Sequence, residues 1–123
     1  MKKNTIIGII IVAIIAVVAF VVIMSKGNTS SSNQAVSTSN TVEIKSYAFN
    51  PTPIKVKVGT KVTWTNKDAV AHTVTSDDSS ADTFKSDSIN QNDTYSYTFT
   101  KAGTFTYHCT PHPSMHGTVE VVN

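Results

Sequence analysis

From Thr41 onward, in one short run after another, the apolar residues recur at every second position, and this period of two limits the fold more than any other feature of the chain. Val42 and Ile44 flank Glu43; Ile54, Val56 and Val58 alternate with Lys55 and Lys57; Val62 and Trp64 alternate with Lys61, Thr63 and Thr65. Successive side chains of a strand point to opposite faces, so each run describes a strand with one face buried and the other in water. Further strands are expected over Ala71 to Thr75, Thr94 to Phe99, Thr104 to His108 and Gly117 to Val122. Asn50-Pro51-Thr52-Pro53, Gly59-Thr60 and Lys101-Ala102-Gly103 supply turns between them. Asp77 to Asn92 is polar and irregular, with Phe84 and Ile89 placed to pin the excursion to the core. The pattern predicts an all-β domain over 41–123, a small antiparallel Greek-key β-sandwich.

The first 40 residues follow different rules. Ile6 to Met24 is an uncharged, proline-free apolar run which, as a helix rising about 1.5 Å per residue, spans roughly 28 Å, the thickness of a bilayer core. A cleaved secretory signal and a retained transmembrane helix both fit residues 1–24. The retained anchor is the better fit, because the run exceeds the roughly 7–15 residues of a usual signal and no good Ala-x-Ala site follows. Lys2 and Lys3 orient the N-terminus to the cytoplasm, so the β domain is expected outside it, periplasmic or at the cell surface, and secreted if the segment is cleaved. Residues 25–40, rich in Ser, Thr and Asn, bury too little to fold and read as a flexible linker.

The formal charge of +2 gives no reason to expect an anionic partner. Lys2, Lys3 and Lys26 belong to the anchor and its edge, and from Thr41 onward eight acidic residues face seven lysines. No basic cluster with interleaved aromatics occurs, so nucleic acid is not an expected partner. The single cysteine, Cys109, excludes an internal disulfide and a lipid-anchored N-terminus. In an oxidising compartment a lone thiol calls for an occupant, and a metal serves.

Cys109-Thr110-Pro111-His112-Pro113-Ser114-Met115 places a thiol, an imidazole and a thioether in one short loop between the last two strands. Two prolines restrict that loop before any metal arrives. One thiolate, two imidazoles and a weak thioether suit copper cycling between Cu(I) and Cu(II), and His72, beyond the strand ending at Asn66, is the candidate for the second imidazole. Structural zinc is the competing metal, but its closed sites usually take two or more cysteines. Alternation turns His108 away from Cys109, to the surface or half-buried. His116, adjoining Met115, could replace it only in a strained or mutant loop and is not expected as a ligand. Trp64, Phe99, Phe105 and Tyr107 are expected in the core rather than in an electron relay. The acidic residues between Asp77 and Asp87 read as a solvated loop in preference to a docking patch.

Val58-Gly59-Thr60-Lys61-Val62-Thr63-Trp64-Thr65-Asn66, Ala71-His72-Thr73-Val74 and Gly103-Thr104-Phe105-Thr106-Tyr107-His108-Cys109 together resemble the cupredoxins, the type 1 blue-copper proteins, and within them the plastocyanin and amicyanin group. The two-residue spacers of the Cys-Thr-Pro-His-Pro-x-Met loop are similar to those of amicyanin. The resemblance implies His72, Cys109 and His112 as strong trigonal ligands of one copper ion, Met115 as the axial ligand, and the His112 edge as the exit for electrons. Two departures stand out: Thr73 where the best-known members carry Asn, and Ser114 where amicyanin carries a large aromatic residue.

The expected function is one-electron transfer between a protein donor and a protein acceptor, met transiently at the outer face of a membrane. Four protein ligands leave no open position for a small-molecule substrate, so no enzyme activity is expected. Pro111 has no N–H to offer the Cys109 sulfur, which should lower the potential relative to a homologue with a donor there. A copper-binding or copper-delivery module without electron transfer is the alternative. A sandwich that has lost its metal, or a nitrite-reducing enzyme requiring a second copper site, fits the residues less well.

Overall fold

The computed structural model describes residues 36–123, and the expected anchor and most of the linker lie outside the described residues. Eight strands follow in order: β1 (Thr41–Lys45), β2 (Ala48–Asn50), β3 (Ile54–Lys57), β4 (Lys61–Asn66), β5 (Thr75–Ser76), β6 (Thr94–Thr98), β7 (Gly103–His108) and β8 (His116–Val122). They form two four-stranded sheets, β2-β1-β4-β6 and β3-β8-β7-β5. No helix occurs among the described residues.

The expected all-β sandwich is present, but it is not purely antiparallel. β1 runs parallel to β4, with Val42 opposite Trp64, and β3 runs parallel to β8, with Ile54 opposite Val119. The other four pairings are antiparallel. Pro51 and Pro53 are the physical reason. Neither has an N–H to give to a ladder, so the chain does not fold back from β2 as a further hairpin. It crosses to the second sheet as β3, turns at Gly59 with φ +88°, and returns beside β1 in the same direction. β2 itself escaped the sequence reading because it has a single inward residue, Phe49. Backbone contacts begin before Thr41: Lys55 N–H donates to Ser37 O at 2.7 Å and Thr63 N–H to Asn40 O at 3.1 Å.

Alternation sorts the side chains as expected within the strands, but Val58, one residue past the end of β3, is exposed rather than buried with Ile54 and Val56. Val42, Ile44, Val62, Trp64, Phe105, Tyr107, Val119 and Val121 are buried between the sheets, while Lys45, Lys57 and Lys61 face water. Trp64 sits at the centre, with Tyr107 edge-on at 5.5 Å, and Phe84, Tyr95 and Phe99 within 6.5 Å between ring centroids. Aromatic pairs of this kind add about 0.5–1.5 kcal/mol each beyond the area they bury. Phe84 and Ile89 are buried and fasten the irregular 77–92 excursion to this core, as their spacing predicted.

Tyr107 reaches its place because its cross-strand partner is Gly117. A Cβ at Gly117 would lie 2.2 Å from Tyr107 Cζ and 2.3 Å from its hydroxyl oxygen, so the ring rests directly on glycine backbone. Burial pushes the Tyr107 phenol well above its ordinary range, which keeps it neutral. Gly117→Ala is therefore expected to destabilise the metal-free protein by about 1–3 kcal/mol or more, as overpacked cores do. A denaturant unfolding curve checks this, and an unchanged midpoint would mean that the ring is free to move aside.

Candidate metal centre

Alternation along β7 carries one residue past the strand, so His108 is half-buried on the outside and Cys109 fully buried inside. The β7–β8 ladder ends at the pair His108 and His116, leaving Cys109 to Met115 as the connecting loop. Three backbone hydrogen bonds close it: Cys109 N–H to Met115 O at 3.1 Å, His112 N–H to Cys109 O at 3.2 Å and Met115 N–H to His112 O at 2.9 Å. Pro111 and Pro113 fix φ on either side of His112. Met115 is buried in the same apolar cluster as Cys109, and His112 is half-buried.

His72 arrives from a different part of the chain. The continuous strand expected over Ala71 to Thr75 is not formed; β5 covers only Thr75–Ser76, and His72 makes an isolated antiparallel bridge with Ile89. The partner segment is the irregular excursion, which offers single bridges rather than a ladder. His72 and Ile89 exchange backbone hydrogen bonds of 3.1 and 2.8 Å, and Ser86 N–H donates to Val74 O at 2.9 Å. Asn66, buried at the end of β4, shapes the turn leading to His72. Its Nδ2 donates to Val70 O and Ile89 O, both at 2.8 Å, and its Oδ1 accepts from Asp68 N–H at 2.8 Å.

The two segments converge. Cys109 Sγ lies 3.6 Å from His72 Nδ1 and 3.5 Å from His112 Nδ1, and the three ligand atoms all fall within 4.8 Å of one another. Three donors arranged at 120° about one ion, with bonds of roughly 2.0–2.3 Å, would be separated by roughly 3.7 Å. The spacing therefore fits one small metal ion. A thiol and two neutral imidazoles beside a buried thioether are a soft donor set of the kind copper prefers. His108 and His116 are not among these three residues. His108 Nδ1 instead pairs with the Asp77 carboxylate.

Neighbouring groups orient the donors. His72 Nε2 meets Asp68 Oδ2 at 2.8 Å, so a proton on Nε2 donates to the carboxylate and leaves the Nδ1 lone pair facing Cys109. Asp68 also accepts from the backbone N–H groups of Ser46 and Tyr47, at 2.7 and 3.0 Å. Desolvation opposes its charge, yet these N–H groups and His72 together hold its carboxyl below the ordinary value. Asp68 was not singled out from the sequence; the one available signal was a carboxylate four residues before a candidate ligand. Thr73 ties the two ligand-bearing segments together. Its N–H points at Cys109 Sγ at 3.4 Å, and its hydroxyl accepts from Thr110 N–H at 2.8 Å, binding the His72 segment to the Cys109 loop. Ser114 is exposed.

An all-β sandwich holding a Cys-His-His cluster at one end defines a small metal-binding protein. Residues 36–122 match the family of copper binding proteins described as plastocyanin/azurin, and the chain belongs to that family. It is similar to amicyanin of Paracoccus denitrificans, 40% identical over 82 residues, which are 65% of this chain and 63% of that protein's length. The chain thus spans somewhat less than two thirds of that relative. Among solved structures, a methionine-to-glutamine variant of amicyanin in its Cu(I) form superposes with a TM-score of 0.62 at 40% identity, covering 67% of this chain and 80% of that one. A Cu-containing nitrite reductase from Thermus scotoductus superposes at 0.64 with 28% identity, covering 68% of this chain but only 22% of the reductase.

Thr73→Val keeps shape and the backbone N–H to Cys109 Sγ but leaves the Thr110 N–H without its acceptor. The metal-free protein should lose about 0.5–1.5 kcal/mol in a denaturant titration, while the copper spectrum keeps its form.

Proposed function

We propose that His72, Cys109, His112 and Met115 hold one type 1 copper ion and that the protein is a one-electron carrier between redox proteins. The convergence of His72 Nδ1, Cys109 Sγ and His112 Nδ1 within 4.8 Å carries this reading. Bound copper would supply the redox step by passing between Cu(I) and Cu(II). The chain's own residues do the rest. Cys109 provides the thiolate from a fully buried position, which favours keeping the metal over handing it on. Asp68 holds the tautomer and orientation of His72. Two prolines and three backbone hydrogen bonds limit movement of the loop, and little movement between oxidation states means a low barrier to electron transfer. His112, half-buried between exposed prolines, is the least buried of the four ligands and so the one through which a visiting partner would be reached.

Thr73 N–H reaches the Cys109 sulfur, whereas Pro111 has no N–H to give, so the thiolate keeps more of its electron density and the potential is set lower than with a second donor. With four protein ligands the ion has no open position for a substrate, in keeping with a carrier rather than an enzyme. The likeness to nitrite reductase extends over a fifth or so of that enzyme and supports the shared fold. Addition of one equivalent of Cu(II) is expected to produce an intense thiolate-to-copper band in the visible, bleached by reduction and missing in Cys109→Ser. A colourless wild-type protein would sink the carrier reading.

Residues 1–24 serve in this proposal as a retained membrane anchor and 25–40 as the linker. They hold the 41–123 domain at the outer face of the membrane, where transient donor and acceptor proteins find it at raised local concentration. The full chain should remain in the membrane fraction after an alkaline carbonate wash, and a chain lacking residues 1–24 should not. Release by the wash of a chain shortened by about the length of that segment would speak for a cleaved signal.

A further inference from the structure

Tyr47 is half exposed, at 53%, yet its ring is not idle. It lies 5.4 Å from the His72 ring and 5.1 Å from the His112 ring between centroids, at 88° and 85° to their planes. The two imidazoles are themselves 4.8 Å apart. A single tyrosine therefore stands against both. His72 is held on its other nitrogen by Asp68 and by full burial; His112 has neither restraint and comes from a loop.

The backbone that presents this ring is strained. Ser46 and Tyr47, the two residues between β1 and β2, both have positive φ, 53° and 57°. Such a tight turn favours Asn and Gly, and a tyrosine in the left-handed region is an outlier of the sort that collects at functional sites. Asp68 stabilises it: the carboxylate accepts from the Ser46 and Tyr47 N–H groups and also meets His72 Nε2. One side chain thus fixes a histidine and the turn that carries the ring covering it.

We propose that Tyr47 is a positioning residue of the metal centre, its ring bridging His72 and His112 and keeping the His112 imidazole turned toward the Cys109 thiol. The proposal rests on the reading of these residues as copper ligands. Its benefit is retention of the ion, since His112 must swing away before the ion can leave, and the ring blocks that path.

The test separates ring from turn. Tyr47→Asn removes the aromatic contacts but suits positive φ, so the metal-free protein should melt no lower than wild type. Stripping of Cu(II) by excess EDTA, followed through loss of the visible band, should be about tenfold faster, the scale of two aromatic contacts. Tyr47→Phe should restore the wild-type rate to within about twofold. Tyr47→Gly, equally suited to the turn, repeats the measurement should the Asn variant not fold. Wild-type stripping rates in the Asn or Gly variant, or a Phe variant as fast as Asn, would overturn the proposal while leaving the copper site standing. A wild-type protein that forms no band would overturn both.

Discussion

A thiol and two imidazoles do not gather within 4.8 Å of one another unless the scaffold keeps them there. In water each would be solvated separately, and the loops bearing them would give up conformational entropy for no direct return. The structure meets this cost through hydrogen bonds between segments remote in sequence. Thr110 N–H to the Thr73 hydroxyl, Thr73 N–H toward Cys109 Sγ, and Asp68 to His72 and the β1–β2 turn tie together three stretches of chain that share no strand. With the donors arranged in advance, less of the binding free energy is spent on ordering them.

Those ties depend in turn on the aromatic core. Trp64 lies two residues before Asn66, which shapes the approach to His72, and Tyr107 lies two residues before Cys109. The two rings meet edge to face at 5.5 Å. Residues two apart on a strand share a face, so the contact that joins the sheets also sets the depth and facing of the elements leading to the site. Gly117 allows it by leaving room for Tyr107 beside β8.

Much of this could be read from residue order. Period-two alternation reveals the faces of β1, β3, β4, β7 and β8, and the thiol-imidazole-thioether loop is compact enough to be recognised as a unit. Parallel pairing was not legible, because alternation is the same whichever way a neighbouring strand runs; Pro51 and Pro53 mark a break without saying that the chain changes sheet there. The span 71–75 looked like a strand by composition, but its hydrogen-bonding partner is an irregular segment with no pattern of its own. Asp68 and Tyr47 were missed for a related reason. Each acts across space, Tyr47 from a turn whose positive φ values no nearby glycine announces. Side chains that bind other side chains leave no period.

The pairing of β3 with β8 bears on how the protein is made. Residues near 55 find their hydrogen-bonding partners near 120, almost the whole domain later. Until β8 is available, β3 has no strand to pair with, Tyr107 lacks the glycine on which it rests, and the loop from Cys109 to Met115 has only one of its two ends fixed. A domain dominated by such distant pairings folds slowly and late. Metal capture is thereby postponed to the last stage of folding, and the thiol stays outside any finished coordination cage until β8 has docked.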